Sequence, residues 1–238
     1  LINHTHSFTP TILNDFRYNL QPRFFKNLSL GLDQGWPTKL GLKGVNDRAF
    51  PQFTVAGYTG LGSGTHERIQ TPIVDQHFVN TVSIFRGKHS FKTGAELRHG
   101  RNVDNFNQLI SGSFAFNVQP TQQPTNNTGG SGLASLLLGF PNSANIRYTD
   151  ELDRRAAYYA LFLQDDWKIS QNLTLNLGLR WEAHTPRIDA SNRQNSFDRA
   201  ATNPISGTPG VVTFAGKGGL GSKIYNGDWN NFAPRFGI

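Results

Sequence analysis

The chain has 238 residues, no cysteine and a formal net charge of +7. Without cysteine, disulfides, thiolate metal sites and cysteine nucleophiles are excluded. A pI near 9.9 invites a nucleic-acid partner, but Lys and Arg are scattered along strands and loops with no run of five, so no nucleic-acid function is expected. No apolar run approaches the roughly 20 residues of a membrane helix. A transmembrane barrel strand needs only about 10 alternating residues, and a mean hydropathy of −0.44 suits half-polar strands and polar loops.

The first predicted strand covers residues 11–21, with Ile12, Phe16, Tyr18 and Leu20 opposite Asp15, Arg17, Asn19 and Gln21. A first hairpin would turn at Thr9-Pro10. His4 and His6 share a strand face, but no carboxylate lies at a fixed short spacing to complete a metal site, so they read as residues of a frayed terminus. A long, basic, turn-rich loop runs from Pro22 to Gln76, with one short extended piece over Phe50–Val55. Residues 77–86 form the next strand, whose apolar face is contested between Phe78, Val82 and Ile84 and the pair Val79 and Phe85. It returns at once through Arg86-Gly87-Lys88-His89, where Gly87 can supply a positive φ. The strand 89–100 sets Phe91, Thr93, Ala95 and Leu97 against Lys92, Gly94, Glu96 and Arg98.

A second long loop, Gly100 to Arg154, holds one short helix over Leu133–Leu138, with Ser131 as N-cap and Gly139 and Pro141 as its stop. Its leucines would pack against loop neighbours or plug a barrel mouth. The strand 155–169 carries Tyr159, Leu161, Leu163, Trp167 and Ile169 on one face and Tyr158, Phe162, Gln164, Asp166 and Lys168 on the other. After Ser170-Gln171-Asn172 comes the clearest run of the chain, in the strand 173–184. Leu173, Leu175, Leu177, Leu179 and Trp181 alternate with Thr174, Asn176, Gly178, Arg180 and Glu182. A third long loop, His184 to Asp228, contains an extended Val211–Phe214, and a last strand begins near 230.

Ten residues of such a strand, at roughly 3.3 Å each and tilted by about 40°, cover about 25 Å, the height of the apolar band of an outer-membrane barrel. Alternation alone also fits a soluble sandwich. Short turns alternating strictly with very long loops fit a barrel better, because loops of that length are uncommon in compact soluble domains. The expected fold is all-β: an antiparallel meander forming part of a transmembrane β-barrel, open as it stands, with long extracellular loops and one short loop helix. Residues 1–238 are read as one partial barrel domain. With no methionine and a last strand barely begun, the chain is expected to be a piece of a longer protein that also holds the signal peptide.

Candidate sites follow from the two faces. Tyr159, Trp167 and Trp181 are read as a membrane-interface girdle. Asp165 falls on the same lipid face; either a bulge turns it inward or the strand has left the hydrocarbon there. Glu96, Arg98, Asn176, Arg180 and Glu182 face the lumen, where they line a substrate path or form a structural ion-pair ladder. By the same logic Leu177→Arg should impair folding far more than Asn176→Arg. Gly216-Lys217-Gly218-Gly219-Leu220-Gly221 fits a dinucleotide-binding pattern, but no helix is expected after it to receive a pyrophosphate. Adjacent Asp165 and Asp166 point to opposite faces and cannot act as an acid/base pair. No enzyme, cofactor or metal site is expected.

Tyr158 to Lys168 followed by Leu173 to Glu182 resembles a hairpin of the Oar-like TonB-dependent outer-membrane transporters. Arg86 to Arg98 resembles their hairpin between consecutive strands, Leu133 to Pro141 their loop helix, and Asp228 to Gly237 the entry to a later strand, all in family order. The resemblance implies a 22-stranded barrel with an N-terminal plug, often preceded by a carboxypeptidase-regulatory-like domain. This chain shows neither, and no segment that contacts TonB. It further implies energy supplied through the TonB complex and import of an unidentified small-molecule, peptide or saccharide substrate across the outer membrane of a Gram-negative bacterium. Outer-membrane lipid and lipopolysaccharide, whose phosphates could meet rim cations, are the expected surroundings. A passive porin or adhesion barrel, and a soluble secreted carbohydrate-binding module, are the alternatives.

Overall fold

The structure, a computed structural model, describes residues 1–64, 66–147, 151–217 and 221–238, and the side chains within them other than those of His66 and Asn107. In chain order the elements are β1 (Ile2–Thr9), β2 (Ile12–Leu28), α1 (Trp36–Lys39), β3 (Gln52–Val55), β4 (His66–Arg86), β5 (His89–Gln108) and β6 (Ser113–Phe116). A 3-10 turn (Gln119–Thr121) leads to α2 (Gly132–Leu137) and β7 (Ser143–Asn145). Then follow β8 (Leu152–Ser170), β9 (Leu173–His184), β10 (Ile188–Asp189), β11 (Asn195–Thr202), β12 (Pro209–Phe214) and β13 (Asp228–Gly237). The chain divides into a wall unit (1–23, 72–103 and 152–238) and a loop unit (24–71 and 104–151), with β2, β4 and β5 running from one into the other.

The wall is a sheet in the order β1-β2-β4-β5-β8-β9-β13, with β10 added on β8. Its hairpins close through Pro10-Thr11, Gly87-Lys88 and Gln171-Asn172, and Gly87 takes the positive φ of 60° that its turn requires. The other connections between wall strands are the long ones. β1 and β13 are the two edges, and no pairing joins them among the described residues, so the sheet is open. Register fixes the faces. Leu161 pairs with Trp181, Leu163 with Leu179 and Trp167 with Leu175, while Phe232 and Phe236 of β13 stand opposite Trp181 and Leu177. This row is apolar and largely exposed, with Leu163 at 55% and Phe236 at 67%. Exposed apolar side chains in such a row, which only Asp165 interrupts among the paired residues of β8 and β9, are what hydrocarbon, not water, stabilises. The opposite row, with Ala160 against Glu182 and Phe162 against Arg180, is mixed and polar.

Several expected boundaries move. The residues read as a frayed terminus are paired strand, with His4 opposite Phe16 and His6 opposite Asn14. β2, β4 and β5 each extend well past their predicted loop ends. α1 was not expected: Pro37 starts it, Gly35 enters it at φ 66°, and the Asp47 carboxylate accepts the Thr38 N–H at 2.8 Å. The loop unit therefore holds more than one short helix.

That unit has its own core. Phe53 sits between Phe50 and Phe114, at centroid distances of 6.2 and 5.8 Å, and Trp36 meets Phe50 edge-on at 5.1 Å. Beneath them β3 pairs with β6 in parallel. Ser131 caps α2 by accepting the Ala134 N–H, as the sequence suggests. The buried side of α2 is Gly132 and Ser135, however, and its leucines point out, Leu137 being 78% exposed. The reason is close approach: a Cβ on Gly132 would stand 3.0 Å from the Phe116 carbonyl oxygen.

Candidate functional site

Alternation carries a set of ionisable side chains to the inner face of four neighbouring strands. Glu96 of β5 is the hub. Its carboxylate meets His77 Nε2 of β4 at 2.8 Å, Arg98 Nε at 2.6 Å and Arg180 Nη2 of β9 at 3.1 Å. Arg180 also donates to Glu182 at 3.1 Å and to the Tyr158 hydroxyl of β8 at 2.7 Å. That hydroxyl donates in turn to Glu182 at 2.8 Å, so its one proton and one lone pair are both used. The Arg98 guanidinium lies over the Tyr158 ring, 5.0 Å from its centroid. The Glu96 side chain is only 11% exposed, against 58% for Arg98 and 43% for Glu182. The hub is thus buried in the wall while its partners reach the inner surface. A carboxylate held by several charge-assisted bonds in a low-dielectric wall ties its strands together strongly.

Four of the five predicted inner-face candidates, Glu96, Arg98, Arg180 and Glu182, are brought into this one network. Asn176 is not: it pairs with Asp166 and Gly237, nearer the turn. His77 and Tyr158 were missed as members. Tyr158 stands on the polar face of its strand in the sequence, which was the available signal; His77 opens a strand whose faces the sequence leaves ambiguous. The stacking of Phe78 on Tyr18 at 4.5 Å settles that ambiguity, because it turns Phe78 outward and His77 inward.

The outer face carries the aromatic candidates. Tyr159 and Trp181 each stack on Trp229, at 6.5 and 6.4 Å, and Trp181 Nε1 donates to the Trp229 carbonyl at 2.8 Å. Trp229 was not anticipated in this role. Trp167 lies toward the turn end and stacks on His89 at 5.3 Å. Asp165 is in regular register with Leu177, and no bulge turns it inward. It remains on the outer face, with its charge met by His89 Nδ1 at 2.7 Å.

At the loop end of β8, Asp153 accepts from Arg101 at 2.9 Å and Arg155 at 2.6 Å, and these two guanidiniums hold its carboxyl well below the usual carboxylate range. Asp189, fully buried, spends its carboxylate on the N–H groups of Asp153, Ser191 and Arg193. In the loop unit, burial pushes the Glu67 carboxyl up, although the Ile110 N–H donates to it at 2.6 Å. Among the described residues no group of three His, Asp or Glu converges as a metal site. Of the glycine-rich segment, Gly218, Gly219 and Leu220 lie outside the described residues. Gly216 donates its N–H to the Gly221 carbonyl at 2.7 Å, and no helix follows among the described residues.

A sheet with an exposed apolar face, a charged opposite face, tight turns at one end and long structured loops at the other defines the wall of an outer-membrane barrel. The chain belongs to the outer membrane beta barrel domain family, whose model matches residues 1–238. It is an outer-membrane protein of a Gram-negative bacterium, which sets aside the soluble-module alternative. No curated protein and no solved structure matches the chain.

Proposed function

We propose that the chain is barrel wall from an Oar-like, TonB-dependent transporter that captures a small-molecule, peptide or saccharide substrate outside the cell and imports it. The observation that carries this reading is the loop unit with its own buried core, including Ala49, Ile110 and Phe116. A simple pore has no need of a built surface between its strands, whereas a receptor must select before it transports. The ordered resemblance of the two hairpins, the loop helix and the last strand supplies the TonB dependence, through parts beyond this chain. In this reading the Glu96 hub is a structural tie between wall strands. The more exposed Arg98 and Glu182 present charge to a passing solute, Asn176 lines the path nearer the turns, and Tyr159, Trp167 and Trp181 form the interface girdle among lipid and lipopolysaccharide.

The test uses the full-length protein. The periplasmic domain of TonB should retain it on a column, and proteoliposomes containing it should not swell in neutral sugars, because a plug closes the lumen. Rapid swelling together with no retention by TonB would identify a passive porin.

A further inference from the structure

The outer face of the wall is not flat. Ala95, exposed on β5, is a small side chain among bulky ones, with Phe16 and Phe78 on the β2 and β4 side and Leu161, Trp181 and Trp229 on the other. Together they line an open groove of about 520 Å³. Period two sets Ala95 on the face opposite its neighbour Glu96, and Phe16 on the face of Tyr18, which stacks on the outward Phe78. The polar residues along the groove are engaged within the protein. Asn80 Oδ1 accepts from Asn14 at 2.7 Å, Thr185 Oγ1 accepts the Ala157 N–H at 2.8 Å, and Glu96 is the hub of the inner network. The Tyr159 hydroxyl, nearer the loops than Leu161, has no hydrogen-bond partner among the described residues. β5 is the middle strand between the edges β1 and β13, so strands added at either edge do not cover the groove.

We propose that this groove is a fixed site for one acyl chain of lipopolysaccharide. The inference rests on the outer-membrane location and is independent of transport. Tyr159 and Leu161 line the groove but Leu163 and Trp167 do not, so it lies on the loop side of the apolar band. The long loops are extracellular, and lipopolysaccharide forms that leaflet of the outer membrane. The surrounding lipid is as apolar as the groove, so transfer alone holds no chain there. Retention comes from packing: a chain over Ala95 meets aromatic and aliphatic carbons on both sides and beneath it, where a chain on a flat wall meets them beneath only. The Tyr159 hydroxyl is placed to meet the oxygens that join the chain to its headgroup.

The experiment is native mass spectrometry of the full-length protein, extracted from outer membranes and washed in detergent. The wild type should retain one lipopolysaccharide. Ala95→Trp fills the groove and should shorten the half-life of that lipid during washing by about tenfold, the equivalent of roughly ten carbon contacts. Leu179→Trp enlarges a side chain of the same face outside the groove and should leave the half-life unchanged. A heat-modifiable band on a gel reports that each variant is folded. If Ala95→Trp does not fold, Ala95→Leu fills the groove with less bulk and should also shorten the half-life. Loss of lipopolysaccharide from the wild type as fast as from a folded groove-filling variant overturns the proposal. So does equal shortening by Leu179→Trp, which would mean that the whole face and not the groove holds the lipid. Retention of a phospholipid or of another protein in its place, lost on filling the groove, would assign the site to a different occupant and overturn it as well.

Discussion

Replacing Leu179 with arginine tests the assignment of faces at the depth where the membrane is least forgiving. Trp167 pairs at the level of Leu175, and Tyr159 at the level of Ala183. A strand tilted by about 40° gains roughly 2.5 Å of height per residue, so these aromatic levels are about 20 Å apart. Leu179, opposite Leu163, lies at the midpoint. Leu177, which the sequence alone singles out, is a poorer site because it pairs with Asp165, whose carboxylate could neutralise a new arginine. At the midplane an outward arginine costs about 2–4 kcal/mol, a drop of roughly 30- to 700-fold in the folding equilibrium. Asn176→Arg is the control: it faces inward, opposite Asp166, and should cost little. Folding of the full-length protein into bilayers, followed by denaturant titration and gel mobility, reads both. Equal losses for the two variants would refute the assignment of faces.

Three further outcomes follow from particular contacts. Glu96→Gln removes the charge that three donors share and should destabilise the barrel by about 1–3 kcal/mol. Combined with Arg180→Gln the loss should be less than additive in a double-mutant cycle, and strict additivity would show that the pair is not coupled. Because burial raises the Glu67 carboxyl above its ordinary value of 4.5, the stability that its protonation contributes is present below that value. It is lost as pH rises through the higher folded-state value. Protection of the Ile110 amide from hydrogen exchange should therefore fall with rising pH, and Glu67→Gln should flatten that slope; a parallel slope in the variant would be against it. Gly94→Ala would set a Cβ 2.5 Å from the Asn80 carbonyl oxygen and 2.7 Å from the Phe162 ring, an overpacking worth about 1–3 kcal/mol. A denaturation midpoint equal to wild type would contradict it.

How much of this was legible in the sequence depended on how far each strand's two faces differ. In β8 and β9 the outer row is leucine and aromatic and the inner row charged, so strand, register face and hairpin could all be read. In β1, Asn3, His4, Thr5, His6 and Ser7 are polar on both faces, and only pairing with β2 makes a strand of them. The far half of β4 contains Pro72, and the far half of β2 contains Pro22, each a mark against a strand in sequence terms. There the tertiary partner overrides local preference. The α2 helix was readable from its cap and its stop, but not its buried side, because small residues at a close backbone approach leave no hydrophobic pattern. The ionic network was half legible: period two puts Glu96, Arg98, Arg180 and Glu182 on one face, but only the strand order brings β5 beside β8 and thus within reach of β9. His77 had no such signal.

This chain contains no cysteine, so once any cysteine outside it is replaced, single cysteines can be placed along β9 of the full-length protein in bilayers without background. Spin labels at 173–182 should then alternate. Thr174, Asn176, Gly178, Arg180 and Glu182 positions should be accessible to a water-soluble nickel relaxant, and Leu175, Leu177, Leu179 and Trp181 positions to dissolved oxygen. That period of two is what a lipid-facing row and a hydrated, charged inner row require. Equal access of the nickel relaxant to both rows would contradict the account.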